Sequence, residues 1–222
     1  MKHSNQVNYF TLSKLTSYQQ SLFCLLLAEE MRPYLMFECM LTDQKERAKK
    51  FNLALRYMFD LHDEVKTTKE YELKDEQREE LKKHVEALDV KKGELSPELA
   101  TFFNAIIFAS KVLELSITAL LNPAGEEAPL ASDISETLSI NLAHFDARDI
   151  RLKKIKDRQL SDDYKIAEEL QIMALEACTD DDISLEVYRT IYRDVTYRSN
   201  DLDFPEMNDV DKYIVSLTVQ EA

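Results

Sequence analysis

Apolar residues recur three and four apart along nearly the whole chain, and strict apolar–polar alternation is almost absent. That spacing predicts amphipathic helices, not half-buried strands. Ser17 can cap a first helix running to about Met31, with Leu22, Phe23, Leu26 and Leu27 inward and Pro33 stopping it. A short helix is expected over Tyr34–Leu41. Thr42 then caps a long one from Asp43 to about Val65, striped by Phe51, Leu55, Met58 and Phe59. Residues 66–92 are highly charged, and Leu73, Leu81, Val85 and Leu88 suffice only for a thin amphipathic helix on the surface.

The strongest local signal is Ser96-Pro97-Glu98: an N-cap serine, proline at the first helical position and an acid facing the helix dipole. The helix it opens, to about Asn122, is apolar on most sides, as befits the middle of a bundle. Asp133 with Glu136 reads as a capping-box variant opening the next helix, with Leu138, Leu142 and Phe145 inward. Ser161 caps another to about Cys178, and a last helix carries Ile183, Val187, Tyr188, Ile191, Val195 and Tyr197. Thr179-Asp180-Asp181-Asp182 decides whether those two are continuous, and the segment Tyr213–Val219 is ambiguous. The expected fold is all-α: a single domain, a bundle of about seven helices around a central apolar helix at 96–122. Its core covers about 9–200, with a loosely attached tail at 201–222.

Composition narrows the classes. The 222 residues include 2 Gly and 5 Pro, where average usage gives roughly 15 and 11. Hairpin turns and phosphate-cradling loops consume glycine, so β folds, Rossmann folds and P-loop enzymes are disfavoured. A net charge of −14 repels nucleic acid and anionic membranes. The longest apolar run, Leu22–Ala28, is far too short to span a bilayer, and no signal-peptide h-region stands at the start. A cytoplasmic location is the expectation. Cys24, Cys39 and Cys178 form no CxxC pair, and the first two sit in apolar runs as small core side chains.

Candidate chemistry is sparse. A helical di-iron site needs Glu-x-x-His, but Phe59, Leu81 and Asn141 stand three before His62, His84 and His144. No HExxH occurs, and the pair His62-Asp63 has only His3 upstream of it. Neither a metal nor a cofactor is expected, and no nucleophile motif appears. Asp180-Asp181-Asp182 suits a helix start better than a calcium loop, which spaces its acids and includes glycine. Residues 148–158 carry six basic and two acidic side chains, while 159–222 carry 16 acidic and five basic. Tyr188, Arg189, Tyr192 and Arg193 pair at i,i+4 as a candidate partner surface. Glu114 and His144, with Tyr188 and Arg189, are the candidates for lining an interhelical pocket. Association follows as the expected function, through a homodimer or as an adaptor. The alternative is a small-molecule- or metal-binding helical protein, with cryptic enzyme activity as its extreme form.

One resemblance stands beside this reading. Leu15-Thr16-Ser17-Tyr18-Gln19, then an apolar run and Glu29-x-Met31-x-Pro33, resembles the opening of the YjaG-like proteins, bacterial all-helical proteins of unknown function. Ala131-Ser132-Asp133-Ile134-Ser135 is similar to a helix start of that family. Asp182-Ile183-Ser184-Leu185 with Ser199-Asn200 matches the spacing of its final helix. The resemblance covers roughly residues 9–200, weakest over 66–95, and Tyr34 departs from it where the family tends to have Asn. It implies a compact helical fold and cytoplasmic residence, and brings no catalytic residues.

Overall fold

The structure, a computed structural model, describes residues 7, 9–68, 72–89, 104–146, 162–180, 185–187, 189 and 190, without the side chains of 139–146 and 162–167. Among the described residues the named helices follow one another in this order: α1 (Tyr9–Leu12), α2 (Ser17–Leu41), α3 (Lys45–Thr68), α4 (Asp75–Leu88), α5 (Ala105–Leu121), α6 (Glu127–Asp146) and α7 (Asp162–Thr179). A further helical piece comprises residues 185–187, 189 and 190. No strand occurs among the described residues. The chain is the all-α bundle expected from its periodicity.

α2 and α5 form the central antiparallel pair. Ser21 meets Ser116 at one end, and Glu38 meets Ile106 at the other. α3, α6 and α7 complete the surround of α2, and every residue from Gln20 to Pro33 is buried. That burial explains why α2 runs on through Pro33 instead of stopping there. An interior proline costs about 3 kcal/mol, here by leaving the Glu29 carbonyl without its i+4 donor. Beyond it Leu35, Met36 and Cys39 are fully buried, and a buried large apolar side chain returns about 1.5–3 kcal/mol. Packing wins.

The helix ends also differ from the local signals, each for a tertiary reason. α2 is capped by Thr16, not Ser17. The Gln19 N–H donates to Thr16 Oγ1 (3.3 Å) while the Thr16 N–H donates to Gln19 Oε1 (3.0 Å), a reciprocal box. Gln20, the residue that would complete a box for Ser17, instead donates to the Leu15 carbonyl and accepts the Ala128 N–H. Thr42 closes α2 instead of opening α3, its hydroxyl donating to the Glu38 carbonyl at 2.8 Å. Asp43 follows in the left-handed region (φ 55°), and the Gln44 N–H returns to the Cys39 carbonyl at 2.9 Å.

α5 starts at Ala105, so the expected helix over 96–122 is not continuous. Asn104 is left-handed (φ 56°), and the signal at Ser96-Pro97-Glu98 lies outside the described residues. The cap comes from α2: Glu38, 3% exposed, accepts the Ile106 N–H at 2.7 Å. Burial raises the Glu38 carboxyl above its ordinary pKa, and the Ile106 and Ala105 N–H groups pull it back. Glu38→Ala is expected to fray the first turn of α5 and cost about 1–2 kcal/mol, measured by urea unfolding.

α6 opens at Glu127, well before Asp133, which is an exposed residue within the helix. Glu127 folds back on the preceding turn, accepting the N–H groups of Ala124 (2.7 Å) and Gly125 (2.9 Å). Gly125 has φ 82°, a conformation glycine adopts without penalty. α6 runs parallel to α2, as the contacts Gln20–Ala128 and Glu30–Ser135 require. α7 returns antiparallel, held by Ser132–Gln171 and by Gln19 Nε2 donating to the Cys178 carbonyl. It stops at Thr179, so it is not continuous with the helical piece at 185–190. α4 matches the thin helix expected: Leu81 and Leu88 are buried and Leu73 and Val85 pack against the core.

Candidate functional site

The sequence-derived candidates scatter. Glu114 is on α5, engaged with Lys111 Nζ at 2.7 Å, its side chain 30% exposed. His144 belongs to α6, but its side chain lies outside the described residues, as do Tyr188, Tyr192, Arg193 and the basic run 148–158. His84 is tilted against Tyr57. Arg189 is the exception. It turns into the protein, with Nε 3.5 Å from Glu29 Oε1 and its guanidinium 4.6 Å from the Phe59 ring centre. No described contact joins Arg189 to Glu114.

Two buried polar constellations emerge that motif reading missed. The first joins α2, α3 and α5: His62 Nε2 lies 2.9 Å from Ser21 Oγ, which lies 3.3 Å from Ser116 Oγ. A serine beside a histidine invites comparison with a hydrolase dyad, but the hydrogen balance argues otherwise. Ser116 donates to the Ser21 carbonyl at 2.8 Å. Its oxygen is therefore free to accept from Ser21, whose oxygen then accepts from His62 Nε2–H. Every proton is used, and only a lone pair on Nδ1 is left unpartnered in the core. The opposite tautomer, which a nucleophile needs, would strand a buried N–H. Ser21 is 0% exposed, and burial lowers His62 to a pKa of about 3. A neutral ring and an inaccessible hydroxyl make this a stitch between helices.

The second constellation interrupts the most buried stretch of α2. Glu29 (2% exposed), Glu30 (7%) and Arg32 (8%) interrupt the run of core residues on α2. Arg32 Nη2 is 3.0 Å from Glu29 Oε1, and Arg189 approaches the same oxygen from the segment at 185–190. Glu30 faces the other way, accepting from Ser135 Oγ of α6 at 3.5 Å. Among the described residues no ion pair reaches it, and burial pushes its carboxyl up to about 8, against the small pull of Ser135. Charged side chains at 29, 30 and 32 inside a core helix were the available signal.

The thiols offer no nucleophile. Cys24, Cys39 and Cys178 are all free and buried, and burial raises each, Cys39 to about 12. No group of three metal-ligating side chains occurs among the described residues. A cleft of about 530 Å³ is lined by Thr16–Gln19, Leu73, Arg78, Leu120 and Cys178. Another of about 580 Å³ lies between the α2–α3 turn and the end of α4, with both charge signs on its walls. Glu114 lines neither.

Among the described residues, exposed apolar side chains stand on two adjoining elements, α1 and α6. Leu12, 1% exposed, pins α1 to the core, which turns Tyr9 (60%) and Phe10 (67%) outward. Tyr9 Oη donates to Glu126 Oε1 at 3.2 Å, tying α1 to the start of α6. Leu130, 47% exposed, lies one turn on from Glu126. Lys14 Nζ rests 3.6 Å above the Phe10 ring centre. Among the described residues, no helix is long and apolar enough to cross a membrane. Comparison with family models, curated proteins and solved structures finds no match.

Proposed function

We propose that this is a non-enzymatic cytoplasmic protein that acts by association, and that its α1–α6 face pairs with a second copy of the chain. The observation that carries this reading is the outward display of Tyr9, Phe10 and Leu130 on elements bound to each other. Apolar side chains grouped on adjoining surface elements are a mark of interaction sites. At −14 overall, two copies repel at long range, so contact favours a locally balanced face. Lys14 and Glu126 give this one both signs, which a two-fold axis can match against each other. Three buried free thiols suit a reducing compartment. Membership of the YjaG-like family is proposed alongside, since its opening motifs include Thr16 and Gln19 of the α2 capping box and Glu29 of the buried ion pair. Phe10→Asp is expected to convert a dimer into a monomer in sedimentation velocity while leaving the helical circular dichroism signal unchanged, since a surface change rarely exceeds about 0.5 kcal/mol. A monomeric parent protein would overturn the reading.

Small-molecule binding is a second reading, favoured by the cleft of about 530 Å³ with Arg78 and Tyr18 on its wall. It expects a thermal shift with small carboxylates that Arg78→Ala removes; no shift across such a set would end it.

A further inference from the structure

We propose that the cleft where α2 begins and α4 passes binds a small amphipathic monocarboxylate, an aliphatic tail ending in one carboxylate. The inference rests on the small-molecule reading above and names its ligand. At about 530 Å³ the cleft has the size of a small-ligand site. Its walls come from four places: Tyr18 and Gln19 in the first turn of α2, Leu73 and Arg78 around the start of α4, Leu120 of α5 and Cys178 of α7. Hydrogen bonds hold the α2 and α7 walls in place. Gln19 Oε1 accepts the Thr16 N–H at 3.0 Å, while its Nε2 donates to the Cys178 carbonyl at 3.1 Å. Tyr18 Oη donates to the His62 carbonyl at 3.1 Å, and its ring lies 4.6 Å from the imidazole.

Arg78 is placed differently. Its neighbours Lys82 and Lys83 pair with Glu79 at 2.6 Å and Glu80 at 2.8 Å, and Lys74 pairs with Glu64 at 2.9 Å. Among the described residues Arg78 has no such partner, so its guanidinium stands on the cleft wall with its donors unspent. A planar fork of N–H groups matches a carboxylate bidentately. The rest of the wall calls for an apolar body. Leu73 and Leu120 pack against the core but are only partly buried, and the surface they leave in the cleft gains from being covered. Charge sets the ligand's valence. One free guanidinium in a chain of net charge −14 matches one negative charge. A phosphate ester or a dicarboxylate would bring a second charge with nothing to meet it. Binding also has a structural consequence. Only Leu81 and Leu88 of α4 are buried, and a ligand touching Leu73 and Arg78 on one side and Tyr18 and Leu120 on the other ties the start of that helix to α2 and α5.

The test titrates the full chain calorimetrically with octanoate, acetate, octan-1-ol and octyl phosphate. Octanoate is expected to bind saturably, one per chain, at least about tenfold more tightly than acetate, because covering methylenes strengthens binding. Arg78→Gln should weaken octanoate at least about fivefold and leave octan-1-ol unchanged. Bound octanoate should also slow amide hydrogen exchange over residues 75–88. Octan-1-ol or octyl phosphate binding as tightly as octanoate would overturn the monocarboxylate. Acetate matching octanoate, with both lost in Arg78→Gln, would overturn the aliphatic tail and leave the small-molecule reading standing. Octanoate binding that Phe10→Asp removes and Arg78→Gln keeps would put the ligand on the α1–α6 face and overturn the cleft. No binding of any of the four would overturn this proposal and the small-molecule reading together.

Discussion

Replacing Glu30 by glutamine is expected to stabilise the protein by roughly 3–5 kcal/mol at pH 8 and by almost nothing near pH 4.5. Glu30 is buried in α2, accepts from Ser135 Oγ, and holds its proton up to about pH 8, against an ordinary value of 4.5. Between those values the folded chain carries a proton that the unfolded chain has released, so stability falls as pH rises. Each pKa unit is worth about 1.36 kcal/mol. Glutamine imitates the neutral acid and removes this slope. His62 has the opposite sign: its folded value of about 3 lies below the ordinary 6.5, so the unfolded chain binds the extra proton and stability falls as pH drops through that window. The two slopes cancel between about pH 4.5 and 6.5. Wild-type stability is expected to plateau there and decline on both sides. In E30Q the decline above pH 6.5 should vanish and the acid limb remain, as read from urea midpoints across pH 3–9. A flat wild-type profile above pH 6.5 would contradict the neutral Glu30.

Glu29 is expected to show the second large effect. Glu29→Gln leaves Arg32, 8% exposed, and Arg189 facing a buried neutral amide. Removing one partner of a buried pair costs about 3–5 kcal/mol. Replacing both ends of the inner pair, as Glu29→Leu with Arg32→Met, is expected to cost much less than the two single changes together, because no charge is left behind. Additive losses in that double-mutant cycle would mean that the pair is not coupled.

The helical class and several packing stripes were legible in the chain, and the reason is physical. Leu81 and Leu88 repeat at helical spacing and are buried; Cys24 and Cys39 sit in apolar runs and are core. Such features depend on neighbours three or four residues away. What escaped depends on distant partners. The cap of α5 comes from Glu38, 68 residues earlier, and no local rule places it there. Gln20 is withdrawn from a local box by Ala128 of α6. Pro33 stays inside α2 because that helix is packed by α3, α5, α6 and α7 and is buried through Pro33. The polar sites were hidden for the same reason: Ser21, His62 and Ser116 are unremarkable apart and meaningful only together. Arg189, read as a partner surface, spends its charge on Glu29, and the distance of 160 residues between them conceals the pairing.

Association through the α1–α6 face is most directly tested by the mass of the purified chain in solution. Multi-angle light scattering across a hundredfold range of concentration is expected to give about twice 25.8 kDa at the upper end, and one chain's mass for Phe10→Asp throughout. A single-chain mass for the unaltered protein at every concentration would contradict it.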